Sequence, residues 1–135
     1  MMNELEFIEK CMSVEWVNRG DTFEGMDCYG LIKLYRSEVV GKPIDEMLGY
    51  KSGSSFNYLW RKYIDKHWRQ LGKFQSGAMV TFYDYSDNPV HVGLCVGEDK
   101  VLHARGDEQR GGKVEIHSIH TLSKLYKYAT YHKAI

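Results

Sequence analysis

The run Val90-His91-Val92-Gly93-Leu94-Cys95-Val96-Gly97-Glu98-Asp99-Lys100-Val101-Leu102-His103-Ala104 decides the fold. Two β-rich stretches flank a Gly-Glu-Asp turn, the pattern of a hairpin. Alternate side chains of a strand face opposite sides. Val90, Val92, Leu94 and Val96 therefore share one face and belong in the core, while His91, Gly93 and Cys95 take the other. The length of the turn then fixes which residues meet. A two-residue loop at Glu98-Asp99 sets His103 opposite Leu94, on the wrong face. A three-residue loop at Gly97-Glu98-Asp99 sets His103 opposite Gly93, so that His103 becomes the diagonal neighbour of His91 on the same face. Gly93 has no side chain and leaves the gap across which the two rings can meet.

Working outward, further β-rich runs occupy 78–83, 113–117 and 126–132, separated by turn signals that include Asp87-Asn88-Pro89 and Gly111-Gly112. Before Ala78 the period is helical. Leu5, Ile8, Met12 and Trp16 mark a helix over 4–16, with Asn3 and Glu6 as its capping pair. A loop follows at 18–26. A second helix runs over 27–40 with Cys28, Leu31, Ile32, Tyr35 and Val39 on one face, and Gly41 and Pro43 end it. A loop at 42–54 precedes a third helix over 55–70, whose stripe is Phe56, Leu59, Trp60, Tyr63, Ile64 and Leu71. Arg61, Lys62, Lys66 and Arg69 form its wet side. Helices followed by strands predict an α+β fold, with N-terminal helices packed on a C-terminal antiparallel β-sheet.

The chain of 135 residues fits a single domain over 1–135, and 43% hydrophobic residues suffice for one core. Lys plus Arg and Asp plus Glu balance at 18 each, which removes the electrostatic case for a nucleic-acid partner. No run reaches the ~18 apolar residues of a membrane span. The N-terminus, with Glu4, Glu6 and Glu9, lacks the pattern of a secretory signal. Three cysteines at irregular spacing suggest thiols rather than a disulfide framework.

Cys28 sits in Gly25-Met26-Asp27-Cys28-Tyr29-Gly30-Leu31, at the first turn of the second helix. The free N–H groups and partial positive charge there favour a thiolate nucleophile and can hold an oxyanion. His91 is placed to take the thiol proton and His103 to hold the His91 tautomer. The bland alternatives are a buried helix cysteine and an exposed strand histidine. His67 and His132 read as ordinary structural residues. Cys11 and Cys95 read as packing thiols, although Cys95 shares the His91 face. His117 and His120 have a His-x-x-His spacing, but no carboxylate or cysteine pair nearby completes a metal site, and no cofactor is called for.

The ordered set Trp16-Val17-Asn18-Arg19-Gly20, the Cys28 segment, His91-Val92-Gly93 and Leu102-His103-Ala104 resembles the NlpC/p60 cysteine peptidases from about Ile8 to Tyr131. The resemblance implies a compact papain-like fold and a Cys-His-His triad of Cys28, His91 and His103. It implies a substrate among bacterial peptidoglycan stem peptides, often cut between D-glutamate and diaminopimelate. Tyr29 stands where many members have serine. Trp16 stands where many have a tyrosine, and it brings no phenolic hydroxyl. These two, with Asp27, are the candidate substrate-binding residues, and Asp27 is open to two readings, a helix cap or an acceptor for a substrate amine. The stretch Cys28–Arg36 followed by Gly41-Lys42-Pro43 is most similar to the tail-tip cell-wall peptidases of tailed bacteriophages. That similarity implies other phage tail-tip proteins as partners and a place in the virion, without a signal peptide. A structural tail-tip protein that keeps the fold, and an amidase or acyltransferase using the same pair, are the competing functions.

Overall fold

Asn3 opens α1 (Glu4–Cys11) with the expected capping box: its side chain accepts from the Glu6 N–H while the Glu6 carboxylate accepts from the Asn3 N–H. The structure, a computed structural model, describes residues 1–44 and 54–135, with backbone alone at 54–59 and 65. The helix is shorter than the periodicity predicts. Ser13 adopts φ 69°, a left-handed conformation that breaks the turn, and Trp16 enters a bridge with Met26. The buried face is also different. Phe7 and Cys11, four residues apart, enter the core, whereas Leu5 is 64% and Met12 39% exposed.

A short hairpin, β1 (Asp21–Thr22) and β2 (Gly25–Met26), fills the expected loop. It leads into α2 (Cys28–Tyr35), which continues as a π-helical turn over Arg36–Val40 and ends at Gly41, φ 75°. Tyr29, Leu31, Ile32 and Tyr35 are buried along α2. The next helix, α3 (Ser54–His67), stops three residues before the expected end, and Trp68–Leu71 forms strand β3 instead. The predicted loop at 42–54 falls mostly outside the described residues, as do the side chains of Phe56 and Leu59. Trp60 is buried, and Tyr63 and Ile64 are half-buried against the core.

The remaining strands are β4 (Met79–Tyr83), β5 (Pro89–Val96), β6 (Lys100–Asp107), β7 (Gly111–Ser118) and β8 (Tyr128–Ala134), with α4 (Ile119–Ser123) between the last two. Among the described residues, six strands join in the order β3-β8-β4-β5-β6-β7, every pair antiparallel. The fold is therefore α+β, as the sequence predicts. Leu94 pairs with Leu102 and Val96 with Lys100, so Gly97-Glu98-Asp99 is the three-residue loop, and this register sets Gly93 opposite His103.

Both faces of the sheet are covered. On one, Val92, Leu94 and Leu102 pack with Leu31, Ile32 and Phe7 from the helices. On the other, Val80, Phe82, Cys95 and Val101 pack with Leu122 of α4 and with Phe74 and Tyr131. Burial of Val90 does not occur: it is 38% exposed. The β4–β5 register shifts there, Phe82 pairing with His91 and Tyr83 with Pro89. This β-bulge turns Val90 outward and leaves His91 paired with Phe82 on its expected face.

Candidate active site

The site begins with the turn into α2. Asp27 is the N-cap: one carboxylate oxygen accepts from the Gly30 N–H at 2.7 Å and the other from the Arg19 N–H at 2.9 Å. Of its two readings, the cap is the one with contacts. Gly30 permits this packing, because a Cβ there would stand 1.7 Å from the Gly20 carbonyl oxygen. The loop over 18–20 is thereby held against the first turn of α2, and Cys28 is fixed in direction. Tyr29, next in the chain, points away into the core. It is fully buried and meets Trp60 edge-on at 5.6 Å, so it presents no surface to a substrate. Trp16 is half-buried, packed against Gly106.

Cys28 is half-buried as a residue, and the backbone of Val92, of Tyr29 and of Cys28 itself acts to lower its thiol. The Val92 contact is the link between the helix and the sheet, since Val92 follows His91. The helix N-terminus is not the dominant influence on this sulfur. Burial first, and the Asp27 carboxylate second, push the thiol up to about 12, and the three backbone contacts do not offset them. Cysteines 11 and 95 are buried thiols, each also pushed by burial up to about 12.

His91 is 6% exposed and His103 fully buried. Their rings meet edge-on, and His91 Nε2 lies 2.8 Å from His103 Nδ1. Nδ1 of His91 is the nitrogen not engaged by His103. Burial holds His91 well below its ordinary 6.5, helped by His103 and by Arg105. His103 is lowered to about 4, again chiefly by burial, then by His117 and Arg105. Both rings are thus neutral at neutral pH.

Four further residues belong to this neighbourhood. Phe82 stacks on His91 at 5.9 Å, and Tyr126 stacks on both, at 4.8 Å from Phe82 and 6.1 Å from His91. The Tyr126 hydroxyl is raised by burial, with Arg105 opposing and Cys28 adding to the shift, which places all three within electrostatic reach. His117 Nδ1 lies 2.9 Å from His103 Nε2. Arg105 and Phe82 were legible as same-face positions on β6 and β4. Tyr126 was not, because it arrives from the turn after α4. His67 stacks on Tyr63 away from this cluster, His120 is exposed on α4, and His132 is buried and bonds Thr130.

Among curated proteins, none matches the chain in sequence. The structure resembles the crystal structure of the NlpC/p60 domain of the peptidoglycan hydrolase SagA, with a TM-score of 0.62 and 14% identity, covering 97% of this chain and 95% of that one. At that identity the likeness speaks for the fold. The sequence profile of the NlpC/P60 family matches residues 14–133, a span that runs from the bridge segment before Cys28 through the last strand. With nearly its whole length matched, this chain belongs to the NlpC/P60 family.

Proposed function

We propose that the protein is a cysteine endopeptidase that hydrolyses the peptide part of bacterial peptidoglycan. The observation that carries this reading is the meeting of two elements at Val92. Its backbone acts on the Cys28 thiol, while the preceding residue, His91, is bonded through Nε2 to His103, which leaves its Nδ1 unengaged by that ring. Membership of the NlpC/P60 family and the likeness to a peptidoglycan hydrolase domain support the choice of substrate.

In this reading Cys28 Sγ attacks a stem-peptide carbonyl as His91 takes the thiol proton. The developing oxyanion is met by backbone N–H at the first turn of α2. His91 then returns the proton to the leaving amine, a thioester remains on Cys28, and water activated by His91 releases it. The similarity of Cys28–Arg36 and Gly41-Lys42-Pro43 to phage tail-tip peptidases supports a role in opening the host wall during infection, with tail-tip proteins as partners.

A second reading is a tail-tip packing protein with the fold but little activity, and the Asp27 carboxylate at the same helix turn, which opposes ionisation of Cys28, favours it. Peptide release from purified Gram-negative peptidoglycan separates the two. Release by the wild type that vanishes in Cys28→Ala establishes the peptidase, and fragment masses name the bond. A folded wild type that releases nothing, with a thiol that alkylates no faster than free cysteine, establishes the packing protein.

A further inference from the structure

Three adjacent strands each contribute one histidine to the same face of the sheet. His103 on β6 stands opposite Gly93 on β5 and opposite Glu115 on β7. Its diagonal neighbours are therefore His91 on one side and His117, which pairs with Val101, on the other. The rings are bonded in series: His91 Nε2 to His103 Nδ1 at 2.8 Å, then His103 Nε2 to His117 Nδ1 at 2.9 Å. His117 Nε2 ends the series 4.0 Å from a Glu115 carboxylate oxygen.

A chain of neutral imidazoles can be protonated in two directions, because each ring has one N–H and one lone pair. In the first, every Nε2 carries the proton and donates along the chain, and the last N–H points at Glu115. In the second, every Nδ1 carries it, and the last lone pair of His117 faces the carboxylate. Only the first leaves Nδ1 of His91 with a lone pair. Electrostatics at the far end therefore select the form of the ring at the near end, since an N–H is attracted to a carboxylate and a lone pair is repelled.

We propose that His117, backed by Glu115, is a positioning residue that sets the direction of this chain and so holds His91 in its base form. The inference rests on the peptidase reading for its purpose, but the chain is present whatever the substrate. The groups that face it are Arg105, which acts on His91 and His103, Tyr126 over His91, and Glu115 beside His117.

The test compares His117→Leu, which removes the acceptor, with His117→Asn, whose side-chain oxygen can replace Nδ1. Nitrogen-15 NMR of the imidazoles reads the tautomers directly. Iodoacetamide reports Cys28, after Cys28→Ala has been used to assign the reactive thiol, and peptidoglycan release reports turnover. The expected result for His117→Leu is mixed His103 and His91 tautomers, Cys28 alkylation slowed about tenfold or more, and peptide release lowered by a similar factor with KM unchanged. His117→Asn restores all three to within about threefold of wild type. Wild-type tautomers and alkylation in His117→Leu overturn the proposal, and so does equal impairment of both variants, which leaves His117 a packing role alone. NMR and alkylation need no cell wall, so failure of the wild type on peptidoglycan sinks the peptidase reading and leaves this test intact.

Discussion

Replacing His103 with asparagine should make the protein less sensitive to acid. His103 is fully buried and its folded-state pKa is lowered from 6.5 to about 4, first by burial and then by the charges of His117 and Arg105. The unfolded chain binds a proton at this position near pH 6.5, whereas the folded chain refuses it until about 4. Between those values the unfolded state holds more protons, so stability rises with pH across the window. The contribution is complete above pH 6.5 and is lost as pH falls towards 4. At 1.36 kcal/mol per unit it amounts to about 3 kcal/mol, of which about 2.5 kcal/mol is gone by pH 4.5. Urea unfolding at pH 7.5 and 4.5 measures it. Carboxylates that titrate in this range are present in both proteins and contribute to both differences, while His91, whose own lowering owes part to His103, shifts the comparison in the same direction. Wild type should lose about 2.5 kcal/mol more than His103→Asn between the two pH values. Losses equal to within about 0.5 kcal/mol, the scale of extrapolation error, would refute the claim that His103 is held neutral by its surroundings.

Gly93→Ala should uncouple the pair of rings. The new Cβ would stand 2.5 Å from Val101 Cγ1 and 3.2 Å from His103 Cβ, so the Val101 and His103 side chains must give way. Overpacking of this kind costs about 1–3 kcal/mol, which lowers Tm by about 4–10 °C in a chain of this size and cuts peptide release with it. An unchanged Tm by calorimetry contradicts the register. Asp27→Asn keeps an acceptor for Gly30 but gives up the second backbone bond and the charge that raises the Cys28 thiol. The protein should lose about 1 kcal/mol of stability while Cys28 alkylates faster at pH 8, and a slower reaction would show that the charge is not felt at the sulfur. The rate of peptide release should hold level through pH 6.5 and fall only well below it, where His91 and His103, both held under the ordinary histidine value, take protons, and stay level through the alkaline range, because the thiol is pushed up to about 12. A second inflection near 9.0, the ordinary thiol value, would be the contrary outcome.

What the sequence revealed is what short-range geometry controls. The β5–β6 register follows from a three-residue turn and a period of two, so the meeting of His91 and His103 was legible across twelve residues of chain. The capping box at Asn3 and the left-handed stop at Gly41 depend on a single turn of backbone, and both were legible too. The failures are those of longer range. Nothing in the periodicity of 55–70 says that β8 will offer an edge to Trp68–Leu71, yet that edge ends the helix. Leu5 and Met12 were expected inside because they repeat every three to four residues, but Phe7 and Cys11 repeat equally well and bury the larger ring against Tyr35 and Phe23. The bulge at Val90 belongs to the pairing of β4 with β5, and no local signal announces it. In the sequence His117 reads as half of a His-x-x-His metal pair, because its place beside His103 comes from the β6–β7 register and not from its local spacing.

The energetics of Cys28 bear on how the proposed chemistry must run. A helix N-terminus lowers a thiol pKa through its N–H groups and its dipole, and three backbone contacts reach this sulfur. They lose to burial and to the carboxylate of the residue that caps the same helix, so the feature that fixes the direction of Cys28 also opposes its ionisation. In the proposed chemistry, with His91 held neutral by its own burial and the thiol raised, attack starts from thiol and imidazole rather than thiolate and imidazolium. Proton transfer then has to accompany attack rather than precede it, and its driving force depends on the basicity of one nitrogen, His91 Nδ1. A site of this kind gains little from further tuning of the thiol. It gains most from keeping that nitrogen unprotonated and aimed, which is the work that His103, bonded on one side to His91 and on the other to His117, is placed to do.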